Sequence, residues 1–564
     1  MAPLGTDSKA GVANASANGV HYSSGLNIVP ASKLDLVSST EYDYIIVGGG
    51  AGGCPLAAAL AEEKSLRVLL LERGATRDQY PETKTIDGWY DLPSTDALQL
   101  TRTKDGVVFA RANVLSGGTA VNIGVWGHAS AAHIKEEGWD ADAMRSAYEH
   151  LDARLSHPGL EGPFQDKMLE AFTEIGIKPN NGVTPEHLIG AKTIMRTWDK
   201  NNVRHPADEL LVGVENVDIV TQALVSKIRF SGSDGTLRAV GVDFTSADGI
   251  PRSADVSPSG GEVILAAGTM GTPQLLMLSG IGPETELEKL GLTPRVSLPV
   301  GRNLADCPLN GIGIQTREAP ERDVISVAGI QEDRIFFVST GNGEPGTTKW
   351  GLMPMVTPGL RTNETMKTTA AAIGALPEEL RAEMGRSMGV FFKLYRVKTR
   401  GAITLDSTDP AATPSIDYPY FTDPADVASG IEGIRTLKAL LASKPVSELK
   451  VDTVPQFLLK LAPALAAFPP GQYPGALPLL PDPNDASEAA TWLRNTVCTC
   501  WHMHGTCRVG EVVDDEHRVK GVEKLRVMDA SVLRDVPGTN PMATIMALGR
   551  VLGLKMLKER VELA

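Results

Sequence analysis

The chain has 564 residues, of which 42% are hydrophobic and 22% charged, and its formal net charge at pH 7 is −14. This acidic balance excludes a surface that neutralises many phosphates, so nucleic acid is not an expected partner. The length predicts two closely associated domains, or one large domain with a second inserted in it, because a single hydrophobic core usually stops growing at about 250–300 residues. Five cysteines are too few, and odd in number, for a disulfide framework.

The sequence also lacks the signals of membrane insertion and secretion. It has no run of about 18 consecutive apolar residues, and its N-terminus lacks the basic segment and apolar core of a secretory signal. The C-terminal sequence VELA is not a peroxisomal address. These features predict a soluble, intracellular protein without a transmembrane segment, and they indicate neither an oligomeric state nor an organelle.

The N-terminal region changes character near residue 41. Residues 1–40 are rich in Ser, Ala, Gly and Asn with weak periodicity, which predicts a flexible or loosely packed arm. From Tyr42 onward an apolar run, a glycine cluster, an alanine-rich stretch and a leucine-rich run follow one another. This order predicts a β-α-β unit, and further strands are predicted at 217–225, 240–244 and 262–267.

The glycine cluster matches the dinucleotide-binding fingerprint, with Gly48, Gly50 and Gly53 at its three glycine positions between a strand and a helix. These glycines allow a sharp turn, close approach of a pyrophosphate and tight helix–strand packing, while the helix N-terminus favours an anion. Glu72 closes the next strand, where a carboxylate can accept hydrogen bonds from an adenosine ribose. The cluster predicts a dinucleotide site without distinguishing NAD from FAD.

Three cysteines and two histidines are concentrated in TVCTCWHMHGTCRVG, residues 496–510. A zinc site would use Cys-x2-Cys or His-x3-His spacing, which is absent, so no metal is expected. A redox dithiol would use Cys-x-x-Cys, also absent, and the cysteines are therefore expected to be buried and inert. The third interpretation is a general base, because an imidazole with a pKa of about 6.5 can accept a proton near neutrality.

Three stretches resemble signature motifs of the glucose/methanol/choline (GMC) oxidoreductase family, whose members bind FAD: Ala110–Ser130, Gly268–Pro283 and Leu525–Arg550. The sequences CPLAA, WHMHG and PGTNP are similar to the plant branch that contains mandelonitrile lyase. Two positions depart from the family pattern. Ser116 stands where the first motif usually has glycine, and Val121 stands where some relatives have a histidine joined to the flavin, which implies non-covalent FAD.

The resemblance implies an α/β fold class, with a discontinuous Rossmann-like FAD-binding domain and an α+β substrate domain that contains an antiparallel sheet. The first part of the FAD-binding domain is expected at 41–310, with interruptions, and the substrate-binding domain at 311–490. The C-terminal part of the FAD-binding domain, at 491–564, would carry the catalytic histidine. A Pro-rich segment at 462–485 is expected to be a loop or lid.

The resemblance and the glycine fingerprint together assign FAD contacts along most of the chain. Asn122 and the backbone around it are expected beside the flavin ring, which needs backbone N–H donors at one edge. Val225 matches a position whose backbone contacts adenine in relatives, although a buried strand valine has the same signature. The expected cofactor-binding residues are Gly48, Gly50, Ala51, Gly52, Gly53, Glu72, Arg73, Val114, Gly117, Gly118, Asn122, Ile123, Gly124, Val125, Val225, Trp501, Asp529, Ala530, Pro541 and Met542.

The family pattern His-x-x-Gly-Thr-Cys falls on residues 502–507, so the resemblance implies that His502 is the catalytic base. Alternation in an extended segment would place His502 and His504 on one face and does not choose between them. His504 is expected to have a structural or supporting role. Asn540 is the implied catalytic partner, because a side-chain amide can donate a hydrogen bond to a substrate oxygen.

These features imply an FAD-dependent oxidase that converts a primary alcohol, aromatic or medium- to long-chain aliphatic, to an aldehyde while O2 is reduced to H2O2. His502 would be the base and the flavin N5 atom the hydride acceptor. The alternative is a hydroxynitrile lyase, in which the same base splits a cyanohydrin and FAD is structural. Asn540 favours oxidation, because lyase relatives can carry histidine there. A photodecarboxylase and a catalytically silent scaffold are both disfavoured by the presence of His502.

Overall fold

The computed structural model describes residues 24–232, 237–318, 325–340, 386–451 and 480–563, together with residues 377 and 379. Helices occur in every one of the longer described segments except 325–340. Among the described residues they are α1 Leu34–Ser38, α2 Gly53–Leu60, α3 Gly118–Val121, α4 Ala131–Glu137, α5 Ala141–Leu155, α6 Pro163–Glu174, α7 Gly268–Leu278, α8 Glu284–Lys289, α9 Pro424–Ala442, α10 Lys444–Leu449, α11 Ala486–Thr496 and α12 Met542–Leu563.

The strands are short and distributed along the same part of the chain. They are β1 Glu41–Tyr42, β2 Tyr44–Val47, β3 Val68–Leu71, β4 Leu98–Arg102, β5 Val108–Ala112, β6 Val125–Trp126, β7 His157–Pro158, β8 Asn180–Val183, β9 Gly190–Thr193, β10 Met195–Arg196, β11 Val217–Val220, β12 Leu224–Ser231, β13 Leu237–Thr245, β14 Pro251–Val256, β15 Glu262–Leu265, β16 Ile281–Gly282, β17 Val296–Ser297, β18 Pro308–Gln315, β19 Val327–Ile330, β20 Arg334–Thr340, β21 Ser387–Leu394, β22 Ala402–Thr404, β23 Ser415–Asp417, β24 Cys498–Thr499, β25 Val522–Glu523 and β26 Leu525–Val527.

A parallel sheet in the order β11-β3-β2-β15-β26 forms the centre of the first unit. The strands β2 and β3 are buried at every position, as expected for parallel strands covered on both faces. Alternate side chains pack against α2, α5 and α12 on one face, and against α7 and the β12-β13-β14 layer on the other. This architecture confirms the Rossmann-like fold predicted from the β-α-β pattern and the strand candidates.

A second sheet has the order β24-β18-β21-β20-β19-β9-β8, and all its pairs except β8–β9 are antiparallel. One face packs on α6, α9 and α11, where Phe336 and Phe392 are fully buried. The other face carries Leu309, Phe337 and Phe391 and belongs to a separate apolar cluster. Because side chains alternate along a strand, this sheet contributes one face to a core and the other to the site.

Two features of the structure bear on the expected division of the chain into domains. The second sheet takes β8 and β9 from residues 180–193 and β24 from beyond residue 490, so the two domains interleave more than the contiguous 311–490 segment suggested. In residues 24–40, the described part of the predicted arm, Leu34 and Val37 of α1 are buried against the β12-β13-β14 layer. Residues 1–23 and most of the Pro-rich 462–485 segment lie outside the described residues.

Candidate active site

The turn between β2 and α2 requires glycine at several positions. Gly48 has φ of +111°, and a Cβ there would lie 2.2 Å from the Ala266 carbonyl oxygen. A Cβ on Gly52 would lie 2.0 Å from the Met528 carbonyl oxygen, and one on Gly53 would lie 2.0 Å from the Gly48 carbonyl oxygen. The tight turn and the close helix–strand packing expected of the fingerprint are therefore both present.

A cavity of about 280 Å³, here called the cofactor cleft, opens beside this turn at the carboxyl ends of the parallel strands. In open parallel sheets, ligands bind at this edge. The cleft is lined by the following expected cofactor-binding residues: Gly48, Gly50, Ala51, Gly52, Glu72, Arg73, Gly117, Gly118, Val225, Trp501, Asp529, Ala530 and Pro541.

A second cavity of about 260 Å³, here called the substrate cavity, adjoins the cleft and shares Gly118, Trp501, His502 and Pro541 with it. It is also lined by further expected site residues: Asn122, Ile123, Gly124, Val125, Asn540 and Met542. Its other walls are largely apolar and come from several elements: Trp89, Leu98, Leu309, Ile325, Phe337 and Phe391.

Two of the expected cofactor-binding residues line neither of these cavities. Gly53 is buried in the first turn of α2, where it provides close packing. Val114 is fully buried in an apolar cluster and forms a backbone bridge with Ala75. Both residues therefore support the walls of the site from within the protein.

Glu72 lies at the end of β3 and lines the cofactor cleft, as the ribose hypothesis requires. Its carboxylate accepts hydrogen bonds from the backbone N–H groups of Gly49, at 2.9 Å, and Gly74, at 2.7 Å. Burial raises the pKa of this carboxyl group. Glu72 thus ties together the two loops that border the cleft in addition to facing it.

Two arginines near the site were not predicted from the sequence. Arg111 of β5 lines the cofactor cleft, and burial, together with the positive charge of Arg73, lowers its pKa to about 9. Arg204 is fully buried and donates to the Asn122 side-chain oxygen at 2.9 Å and to the Asn122 carbonyl at 2.5 Å. Arg111 lies within the first signature stretch and could have been noticed, whereas nothing near Arg204 in the sequence points to its distant partner.

The structure accommodates both departures from the family pattern. Ser116 has φ of +78°, a left-handed conformation that favours glycine. Its hydroxyl accepts a hydrogen bond from the Asp208 N–H at 2.7 Å, so its side chain has a partner inside the protein. Val121 lines the substrate cavity, and its carbonyl accepts a hydrogen bond from the Trp89 indole at 2.9 Å. A valine has no atom that could form a covalent bond to a flavin.

His502 lies where the two cavities meet, just after β24. Its backbone N–H donates to the buried Asp306 carboxylate at 3.0 Å, and Trp501 before it turns the chain with φ of +57°. The Nε2 atom lies 3.9 Å from the Cys500 sulfur, while Nδ1 is buried and has no partner among the described residues. Burial, reinforced by the charges of Lys393 and His504, holds the pKa of His502 well below its usual value.

His504 lines neither cavity and is almost fully buried. Its Nδ1 lies 3.0 Å from the His502 carbonyl, and its Nε2 lies 3.7 Å from an Asp535 carboxylate oxygen. Because a carbonyl can only accept, Nδ1 is the donor in the first of these contacts. The position of His504 fits the supporting role expected from the sequence.

Asn540 reaches the substrate cavity from the loop before α12. It is 9% exposed, and its side-chain oxygen is buried with no partner among the described residues. Gly538 shapes this loop with φ of +77°, and a Cβ there would lie 3.0 Å from the His187 ring. The loop is thus closely packed, and the predicted catalytic partner contributes to it a buried side-chain oxygen that has no partner among the described residues.

The five cysteines are all free thiols, and burial raises the pKa of each. Cys500 is the one that lines the substrate cavity, and its pKa is raised to about 12. The described residues include no group of three or more His, Cys, Asp or Glu side chains that could hold a metal ion. Nor does any described helix have the length and apolar character to span a bilayer.

The parallel sheet, the glycine turn and the cofactor cleft define a dinucleotide-binding α/β protein with an adjoining substrate cavity. The chain belongs to the GMC oxidoreductase family, because models of its N- and C-terminal parts match residues 42–309 and 397–549. Members of this family bind FAD, and FAD is the cofactor of this protein. The residues fit this group, since a Cβ added to Gly50 or Gly118 would meet no protein atom closer than 3.9 Å, which leaves space at the cleft. The buried Arg73 Nε and Trp501 Nε1 atoms in the cleft also lack partners among the described residues.

The chain is similar to proteins with different activities. It is 35% identical to (R)-mandelonitrile lyase 1 of Prunus dulcis over 92% of this chain and 88% of that protein. It is 32% identical to the sinalpyl alcohol oxidase Nec3 of Nesocodon mauritianus over 92% of this chain and 89% of that protein. A formate oxidase structure from Aspergillus oryzae has a TM-score of 0.75 at 20% identity, covering 93% of this chain and 99% of that one.

Proposed function

We propose that the protein oxidises primary alcohols to aldehydes and uses O2 as the electron acceptor. The observation that carries this proposal is the position of His502, a buried histidine at the junction of the cofactor cleft and the substrate cavity. Because its pKa lies well below the ordinary 6.5, the imidazole is neutral at physiological pH and can accept a proton. Asn540 in the same cavity completes the pair.

In this reaction His502 takes the proton of the substrate hydroxyl as the alcohol carbon loses a hydride. When bound, FAD would supply the hydride acceptor at its N5 atom; the hydride equivalent and the proton held by His502 would together reduce O2 to H2O2. Asn540 donates its amide N–H to the substrate oxygen and holds the hydroxyl toward the base. Asp306 and His504 hold the His502 backbone through its N–H and its carbonyl, at 3.0 Å each.

The walls of the substrate cavity favour an aromatic or medium- to long-chain aliphatic alcohol over a sugar. Trp89, Leu309, Phe337 and Phe391 offer apolar surface to the part of the substrate beyond the hydroxyl. A sugar would leave its hydroxyl groups unpaired against these side chains, and each unpaired buried hydroxyl costs about 1–3 kcal/mol. The similarity to an enzyme named as an alcohol oxidase supports the same choice.

A hydroxynitrile lyase is the second candidate, and the similarity to mandelonitrile lyase supports it. His502 would again take the hydroxyl proton, but cyanide would leave from the carbon and no hydride would be transferred. A departing cyanide carries negative charge, and the neutral amide of Asn540 offers it a weaker stabilisation than a protonated histidine would. Asn540 is therefore the residue that favours oxidation.

An anaerobic mixing experiment separates the two functions. We expect benzyl alcohol or a long-chain alcohol to bleach the visible flavin band, and admission of O2 to restore it with release of H2O2. Because the pKa of His502 is depressed, we expect the acid limb of the kcat/KM profile to lie below pH 6.5. Release of benzaldehyde from mandelonitrile, with no bleaching by any alcohol, would replace the oxidase assignment with the lyase.

A further inference from the structure

Lys393 is a fully buried lysine in the sheet that faces the site. In β21 it pairs with Leu309 of β18 and with Ile335 of β20. By alternation it shares the face of Phe391, which lines the substrate cavity. No carboxylate is paired with its ammonium group in the described part of the chain. Since an unpaired buried cation is costly, its presence beside the site calls for a reason.

The ammonium group of Lys393 donates a hydrogen bond to the carbonyl oxygen of Thr539 at 3.0 Å. Thr539 directly precedes Asn540, so this bond fixes the peptide that carries the predicted substrate-binding amide. The side chain of Thr539 packs so closely on Gly127 that a Cβ added to Gly127 would lie 2.4 Å from the threonine hydroxyl. The peptide before Asn540 is therefore held between β21 and the segment that follows β6.

The charge of Lys393 also acts on His502. After burial it is the largest influence that lowers the pKa of this imidazole, followed by His504. Among the described residues, polar contacts of His502 are made by the Cys500 thiol, 3.9 Å from Nε2, by the Asp306 carboxylate, which accepts the backbone N–H, and by His504, which donates to the carbonyl. A nearby cation makes the imidazolium form less favourable, because like charges repel in a site of low dielectric constant.

We propose that Lys393 is a positioning residue for the reaction, which orients Asn540 through its hydrogen bond to the Thr539 carbonyl. This inference rests on the proposed function, in which His502 is the base and Asn540 binds the substrate oxygen. A buried cation on the cavity-facing side of the sheet thus acts on Asn540 and His502, the two groups that meet in the substrate cavity. It acts through those groups and does not itself line the cavity.

Three variants separate the orientation of Asn540 by Lys393 from the effect of the Lys393 charge on His502. K393M removes both the charge and the hydrogen-bond donor while nearly preserving volume, and replacing a buried ion by an apolar residue of similar size is often tolerated. K393Q removes the charge but keeps a donor, and K393R keeps both. FAD content and the melting temperature identify variants that remain folded, and K393Q provides the same charge test if K393M does not fold.

The first measurement uses no substrate. Histidine is labelled with 13C, and the His502 signal, assigned by its loss in H502N, is titrated by NMR in the FAD-loaded proteins. Loss of the cation favours the imidazolium, so we expect the midpoint to move to higher pH in K393M and K393Q but not in K393R. A titration of His502 that is the same in wild type, K393M and K393Q would overturn the electrostatic role.

The second measurement is the pH profile of alcohol oxidation. We expect kcat in K393M to fall about tenfold to hundredfold through misplacement of Asn540, with the acid limb of kcat/KM moved to higher pH. K393Q should recover part of kcat but not the position of the limb. An unchanged kcat in K393M would overturn the positioning role. If wild type oxidises no alcohol, the proposed function fails, whereas the NMR titration still decides the effect of Lys393 on His502.

Discussion

The cofactor cleft and the substrate cavity are neighbours built in different ways. The glycine turn of the cleft is packed against backbone, as shown by the carbonyl oxygens that a Cβ on Gly48 or Gly52 would meet. The substrate cavity is made mainly of side chains that come from the antiparallel sheet and from loops far apart in the chain. A backbone-built site binds a constant ligand, whereas a side-chain wall can change with the substrate while the cofactor site is kept.

The buried charged groups also have different roles at the cofactor cleft and at the substrate cavity. At the cleft, Glu72 and Asp529 accept backbone N–H groups and tie loops together. At the cavity, the buried groups Asp306 and Lys393 hold the backbone beside His502 and Asn540. Substitutions in the first region should therefore affect cofactor retention, and substitutions in the second should affect turnover with FAD still bound.

The largest effect is expected for G52A. The added Cβ would lie 2.0 Å from the Met528 carbonyl oxygen, so the turn and the strand beside it cannot both keep their positions. Overpacking of this kind typically costs about 1–3 kcal/mol, and here it also displaces the N-terminus of α2. We expect a lower melting temperature and loss of bound FAD, measured by thermal unfolding and by flavin released on denaturation. Retention of full FAD content would show that FAD binding does not depend on the exact backbone position of the glycine turn.

Replacement of His502, the proposed base, tests the substrate cavity. We expect H502A to lower kcat by about 10² to 10⁴-fold, the usual contribution of a general base, with FAD content unchanged. The matched control is H504N, because His504 lines neither cavity and an asparagine can still donate to the His502 carbonyl. A larger loss of kcat in H504N than in H502A would reverse the assignment of the two histidines.

Asn540 should have a smaller effect than His502. Its amide binds a substrate oxygen that gains negative charge as the proton leaves, and a hydrogen bond to a charged group is worth about 1.5–3 kcal/mol. We expect N540A, and the isosteric N540D, to lower kcat/KM about tenfold to hundredfold with FAD still bound. N540H, which restores a donor, should recover activity. Equal steady-state constants in wild type and N540A would show that Asn540 does not bind the substrate oxygen.

The cofactor cleft and the substrate cavity also differ in how much of their structure can be predicted from the sequence. The cleft follows from local rules: a glycine spacing, a strand before it, a helix after it, and an acid at the end of the next strand. The position of Ser116 in a left-handed conformation explains why glycine is usual there. These inferences need only neighbours in the sequence, and the structure brings nearly all of those residues to one cleft.

The substrate side depends on contacts that no local pattern encodes. The Arg204 guanidinium meets Asn122 across 82 positions, and the Lys393 ammonium meets the Thr539 carbonyl across 146. The sheet behind the cavity takes β8 and β9 from the first half of the chain and β24 from near its end. A linear division at residues 311–490 could not include those strands, because their pairing is decided by tertiary packing.

The finest test of the comparison is G118A. Gly118 borders both cavities, and a Cβ added there would meet no described protein atom within 4 Å. Alanine in the first turn of α3 should leave the stability of the FAD-free protein unchanged or raise it slightly, since alanine is favoured over glycine in helices by about 1 kcal/mol.

The added methyl group would enter the space that FAD needs, so we expect the dissociation constant of FAD to rise about tenfold, which corresponds to about 1.4 kcal/mol. Thermal unfolding without FAD and flavin titration measure the two effects separately. A lower melting temperature with unchanged FAD affinity would contradict this prediction. It would mean that the space beside Gly118 is needed for packing within the protein and is not occupied by FAD.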